Sequence, residues 1–313
     1  MDQKTSLNGL NLIFFGSGDF ATIVLRKLLT EGVNFRAVVT LPPGPKGRGR
    51  KLRDPEVKEI ADKAGIPVFQ PQNPNSEETL FSLKLFKPDF LILTDYGKIL
   101  KRQLLDLPAF YPLNIHPSLL PEYRGAAPIE RAMMDCKEET GVTLMVMDEG
   151  LDTGPIVKQE HIKIGPTEIK SELMLRLAET GVKLVLESLL PLKLNKLRPK
   201  PQRGNPSYAH KIQKQELWIN WEKTAQKIKC HINALSTKPG VRTNLGPLMV
   251  KLIRAGVFND RSPGPGKIAI KGDKLLIGAL DYFVEILEIQ PQGKKIMSAE
   301  EFLRGYKRKL STV

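Results

Sequence analysis

Asn114 and His116 stand two residues apart at the end of an apolar run, in Leu-Asn-Ile-His-Pro-Ser-Leu-Leu-Pro (113–121). Side chains alternate sides along an extended segment, so residues two apart point the same way and these two converge on one small region. A lone histidine is more often a satisfied structural residue than a catalytic one, but here a third group comes within reach. The stretch Asp-Glu-Gly-Leu-Asp-Thr-Gly-Pro (148–155) follows the apolar run Val-Thr-Leu-Met-Val-Met (142–147) and offers Asp152 from a glycine-rich loop. An amide that donates, an imidazole near its working range and a carboxylate that favours the charged imidazole make a set suited to acyl transfer.

Placing those groups requires strands that end at one edge. Leu-Asn-Leu-Ile-Phe-Phe (10–15), Phe-Arg-Ala-Val-Val-Thr (35–40), Asp-Phe-Leu-Ile-Leu-Thr (89–94) and the run at 142–147 read as buried strands. Between them, 19–32, 54–65, 76–86 and 127–136 carry helical periodicity with Gly, Pro or Asn punctuation. Strand-helix alternation predicts an α/β fold: a doubly wound, mainly parallel, Rossmann-like sheet. Ligands of such sheets bind beyond the carboxyl ends of the strands, where Gly16, Thr94 and Asn114 fall. Gly-Ser-Gly (16–18) after the first strand has the look of a phosphate turn. The third small residue is Ala21, however, and no acid closes the next strand to hold a ribose hydroxyl, which argues against a dinucleotide enzyme.

The chain changes character after residue 190. Residues 1–190 hold 24 Lys and Arg against 25 Asp and Glu, net −1, whereas 191–313 hold 24 against 9, net +15. The whole basic excess of this 313-residue chain lies in its last part, which points to a polyanion-binding module. The expected organisation is a catalytic domain over 1–190, a basic Pro-rich linker over 191–206 and a smaller unit over 207–313. In the last of these, 221–235 reads as one helix. Runs at 248–258, 266–272, 274–280 and 282–291 read as short strands of a small β-barrel. No window is long and apolar enough for a membrane span and the N-terminus lacks a cleavable leader pattern, so the expected place is the cytoplasm. Cys136 and Cys230 are far apart without metal-ligand spacing and are expected as free thiols.

Asn-Ile-His-Pro-Ser-Leu-Leu-Pro, followed by Arg-Gly-Ala-Ala-Pro-Ile (124–129), Thr-Gly-Val-Thr (140–143) and Leu-Asp-Thr-Gly (151–154), resembles the signature of the folate-dependent formyltransferases. The resemblance extends over nearly the whole chain. Val-Val-Thr-Leu-Pro-Pro-Gly-Pro-Lys-Gly-Arg-Gly-Arg-Lys-Leu (38–52) matches that family's basic loop, and Gln-Pro-Gln-Gly-Lys-Lys-Ile-Met-Ser-Ala-Glu-Glu-Phe-Leu (290–303) its ending. Within the family, the chain looks like the members that act on charged initiator tRNA. The implied reaction moves the formyl group of 10-formyltetrahydrofolate, a donor substrate, onto the methionine amine, with no metal. Glycinamide ribonucleotide and amino sugars are the alternative acceptors.

The resemblance also implies residue roles and a C-terminal barrel like an oligonucleotide-binding (OB) fold. Asn114, His116 and Asp152 take the catalytic places. Pro117, Ser118, Leu119, Leu120 and Pro121 line the folate site, with Tyr96 and Gly97 near the pterin. Lys46, Arg48, Arg50 and Lys51 in the loop, with Lys294 and Lys295, are the expected tRNA contacts, and the protein is expected as a monomer.

Overall fold

The computed structural model describes residues 9–46 and 51–310. It divides into two compact units. The first takes the described residues up to Ala126 with Gly141–Ile162 and Leu175–Tyr208. The second takes Ala127–Thr140, Lys163–Met174 and the described residues from Ala209 onward. The chain forms β1 (Leu12–Phe15), α1 (Asp19–Thr30), β2 (Phe35–Val39), the hairpin strands β3 (Gly44–Lys46) and β4 (Lys51–Arg53), α2 (Glu56–Lys63), β5 (Val68–Phe69), α3 (Glu77–Lys84), β6 (Phe90–Leu93), α4 (Arg102–Leu105) and β7 (Tyr111–His116). Then come β8 (Arg124–Gly125), α5 (Pro128–Met134), β9 (Glu139–Val146), β10 (Ile156–Lys163) and α6 (Lys170–Lys193).

The first unit is built on a seven-stranded sheet in the order β10-β9-β7-β6-β1-β2-β5. The pairs β1/β2, β1/β6, β6/β7 and β2/β5 are parallel, and β9 runs antiparallel to β7. Every residue of β1 and β6 is buried, as a parallel strand covered on both faces requires. On α1, Phe20, Ala21, Val24, Leu25 and Leu28 are buried at helical spacing and form the face toward the sheet. Ile13, Phe15, Val39, Leu91 and Leu93 join Leu83, Leu100 and Leu104 in one core cluster, and each such burial contributes about 1.5–3 kcal/mol. The chain leaves β1 for β2 on one side and returns through β6 and β7 on the other. The strand order therefore reverses between β1 and β6, where an open α/β sheet forms its crevice.

Two expectations change at this level. The segment 191–206 does not begin as a free linker: α6 runs through Pro191 to Lys193, and Lys200 and Ile156 exchange two backbone hydrogen bonds of 2.7 and 2.8 Å. A proline-rich stretch still carries carbonyls and most of its N–H groups, and here those of Lys200 are used in pairing with Ile156 of the first unit. The cysteines are not free thiols. Cys136, in the turn after α5, is joined to Cys230 in a disulfide with Cα atoms 5.5 Å apart, 94 residues apart in sequence. Packing within the second unit creates that proximity, and no spacing along the chain encodes it.

After β11 (Tyr208–Ala209), in which the first unit ends and the second resumes, the second unit continues through α7 (Ala225–Leu235), β12 (Val241–Leu245), β13 (Leu248–Arg261), β14 (Ile268–Lys271), β15 (Lys274–Gly278), β16 (Tyr282–Pro291), β17 (Met297–Ser298) and α8 (Ala299–Tyr306). Its sheet is antiparallel, in the order β12-β13-β16-β15-β14, with β17 also paired to β16. The run read from 248 is one long strand of 14 residues with register shifts rather than a short one. Thr224 caps α7 by accepting from the Lys227 N–H, and Ser298 and Glu301 form a capping box on α8. Ile228, Ile232, Leu252, Ile277, Val284 and Phe302 are among the buried residues of this unit's core.

Candidate active site

β7 carries both Asn114 and His116, and its pairing with β6 (Leu93 against Asn114) and β9 (Thr143 against His116) fixes how far each reaches. Thr94 locks the strand end by donating its hydroxyl to the Ile115 carbonyl at 2.8 Å. Asp152 approaches from the loop after β9. Its Oδ2 lies 3.7 Å from His116 Nδ1, and its Oδ1 lies 3.5 Å from Asn114 Nδ2, at the long limit of a hydrogen bond. The three side chains expected from the sequence are thus brought together in one unit.

The imidazole is only 4 % exposed, and Asp152 14 %. His116 Nε2 sits 3.0 Å from the Tyr123 carbonyl. A carbonyl only accepts, so Nε2 carries a hydrogen, and Nδ1, facing Asp152, is the nitrogen left to exchange a proton. The carboxylate is itself fixed, because Gly125 N–H donates to Oδ2 at 2.8 Å. Asp152 adopts φ 52° in a tight loop. Thr153 and the Gly150 N–H both bond the Asp148 carboxylate, at 2.7 and 3.1 Å. At Gly154 a Cβ would stand 1.9 Å from the Val146 carbonyl oxygen, so only glycine allows the loop to return to β10 this closely.

The Ser-Leu-Leu-Pro turn is held by a polar scaffold. Thr143 donates to Ser118 O at 2.7 Å and accepts from Leu120 N at 3.1 Å, Gln159 donates to Leu120 O at 2.8 Å, and Ser118 Oγ donates to Glu122 O at 2.7 Å. Ser118 and Leu120 are buried anchors, at 0 and 3 % exposure, while Pro117, Leu119 and Pro121 at the alternate positions are partly open. The two buried residues thus anchor the turn, and Pro117, Leu119 and Pro121 form its more open, apolar positions.

Tyr96 is placed differently from Gly97. Its ring packs edge-on against Phe15 at 5.4 Å in the core, its hydroxyl is buried without a partner, and burial pushes its pKa up to about 12. Gly97 is exposed at φ 80°. Of the expected tRNA contacts, Lys46 and Lys51 are paired across the β3/β4 hairpin, and Arg48 and Arg50 lie outside the described residues. Lys294 and Lys295 are exposed in the turn after β16.

Gly16 to Gly18 does not form a phosphate cradle. The N–H groups of Ser17 and Gly18 both donate to the Asp95 carbonyl, at 3.0 and 3.1 Å, and a Cβ at Gly18 would stand 1.8 Å from the Asp95 carboxylate. The donors a phosphate would need are already used.

Three contributors are not legible in the sequence. The Tyr123 carbonyl and the Gly125 N–H are backbone groups that every such residue carries, so no residue type announces them. Gln202 bonds the Asp152 loop, but it lies in a stretch whose composition reads as linker.

The chain belongs to the formyl transferase family: residues 10–189 match the family's formyl transferase domain and 211–307 its C-terminal domain. Among its relatives, the methionyl-tRNA formyltransferase of Dictyoglomus thermophilum is 41 % identical, covering 95 % of this chain and 97 % of that protein. That of Thermodesulfovibrio yellowstonii is 39 % identical over 95 and 96 %. Of solved structures, HypX from Aquifex aeolicus in complex with tetrahydrofolic acid aligns with a TM-score of 0.67 at 17 % identity, over 97 % of this chain and 48 % of that one. A methionyl-tRNA formyltransferase from Clostridium thermocellum aligns at 0.54 and 14 % identity, over 88 and 98 %. Both structures show the same fold.

Proposed function

We propose that this protein transfers the formyl group of 10-formyltetrahydrofolate to the amino group of methionine on initiator tRNA. The convergence of Asn114, His116 and Asp152 at the carboxyl end of β7 carries the reading, and relatives named methionyl-tRNA formyltransferase along nearly their full length support the acceptor.

In this reaction the amine nitrogen attacks the formyl carbon, the carbonyl oxygen gains negative charge, and the bond from carbon to the folate N10 then breaks. Asn114 Nδ2 makes only a long contact with Asp152 and is available to donate to that oxygen, an interaction typically worth about 3 kcal/mol in a transition state. Asp152 and His116 Nδ1 form the path for the proton the amine loses, which must finally reach N10 of the leaving tetrahydrofolate. Pro117, Leu119 and Pro121 support the pterin, with the Gly97 backbone beside it.

The basic loop residues Lys46, Arg48, Arg50 and Lys51, with Lys294 and Lys295, hold the tRNA phosphates. The test offers labelled formyl donor with three acceptors in parallel: charged initiator tRNA, glycinamide ribonucleotide and a nucleotide-linked amino sugar. Label should pass to the tRNA-borne methionine at least about 10²-fold faster than to the others, and preferential labelling of either small acceptor overturns the assignment.

A further inference from the structure

Gln202 reaches back from the proline-rich segment to the catalytic loop. Its Nε2 donates to two carbonyls, Asp152 O and Gly154 O, both at 2.8 Å. Its Oε1 accepts from Arg124 Nη2 at 2.7 Å, so the guanidinium decides which way round the amide lies. Arg124 is the residue before Gly125, whose N–H holds the Asp152 carboxylate, and its own N–H donates to Ser207 O at 2.9 Å. Ser207 Oγ in turn accepts from the N–H of Tyr123, the residue whose carbonyl binds His116, and Ser207 N donates to Pro121 O at 3.3 Å. Residues 200–207 are therefore bonded on one side to the loop that carries Asp152 and on the other to the backbone that seats His116.

The need for such a brace follows from the backbone of Asp152. Asp152 holds a left-handed φ of 52°, a conformation uncommon for a non-glycine residue, and its surroundings fix it at both ends. Gly125 fixes the tip of the side chain and Gln202 fixes the main-chain end. We infer that Gln202 is a positioning residue for formyl transfer: its paired bonds to Asp152 O and Gly154 O hold the Asp152 carboxylate at His116 Nδ1. It acts through Asp152 and not on the substrate, so the inference rests on Asp152 being part of the proton path.

A double-mutant cycle tests this, using the full chain, 10-formyltetrahydrofolate and methionine-charged initiator tRNA under single-turnover conditions. Gln202→Leu removes donors and acceptor at similar volume. Gln202→Glu keeps the length and the Arg124 contact but turns an oxygen toward the two carbonyls, and it serves if the leucine variant does not fold. In the otherwise natural protein each should slow transfer by about tenfold or more with donor affinity changed less than about twofold, since small misplacements of a catalytic group are costly. In an Asp152→Asn background the same changes should cost less than about twofold more. Equal losses in both backgrounds, a loss confined to donor affinity, or no loss at all would overturn the inference. A normal rate in Asp152→Asn alone would instead overturn the role given to Asp152, and is read separately.

Discussion

At the scale of single residues, the site divides His116 into two ends with different tasks. Nε2–H is committed to the Tyr123 carbonyl, and Nδ1 faces Asp152. His116→Gln can keep a donor for that carbonyl while removing the proton-exchanging nitrogen. It should therefore fold with an unchanged thermal midpoint and lose about 10²-fold or more in single-turnover rate. Asn114→Ala should lose a similar factor through the oxyanion. A rate within tenfold of the natural protein, in well-folded variants, would remove either residue from the chemistry. That Asn114 and His116 converge is legible in the sequence, because residues two apart on a strand share a side. The placement of Tyr96 is not, because a tyrosine beyond a strand end can turn its ring to a cleft or to the core, and only the fold shows it packed against Phe15.

At the scale of elements, the strands and helices that carry the site follow the apolar periodicity closely, and the departures have physical causes. α6 continues past the boundary set at residue 190, so Pro191 lies within it. The β13 strand runs longer than its apolar core because register shifts let it bend and continue. The disulfide between Cys136 and Cys230 depends on packing of residues remote in sequence. Tertiary contacts of this kind also set the acid behaviour of the second unit. Arg254 donates to Glu172 at 2.6 and 3.0 Å and to Glu288 at 3.1 Å, and its hydrogen bond is the first cause holding the Glu172 carboxyl below its ordinary value of 4.5. A depressed folded-state pKa contributes stability that is present above the unfolded value and lost as pH falls through the folded one. Thermal midpoints should accordingly drop as pH falls below about 4.5, and Arg254→Met should flatten that part of the profile. An unchanged slope in the variant would show that other carboxylates govern the acid limb.

At the scale of the whole chain, chemistry and charge are segregated: residues 1–190 are nearly neutral and 191–313 carry net +15. Binding a polyanion through such charge releases counterions, so affinity should fall linearly with the logarithm of salt concentration. Triad changes should leave that slope alone, while Lys294→Ala with Lys295→Ala should lower it by about one for each phosphate no longer neutralised. The most direct measurement combines the two readouts: single-turnover formylation of methionine-charged initiator tRNA, with tRNA affinity titrated against salt. It compares the natural protein, the triple variant Asn114→Ala, His116→Gln, Asp152→Asn, and the double-lysine variant. The triple variant should bind tRNA like the natural protein yet form no formylmethionine above background, and the double-lysine variant should bind with a shallower salt slope yet transfer at the natural rate once saturated. Formylation persisting in the triple variant, or natural protein that leaves the charged tRNA unmodified, would contradict it.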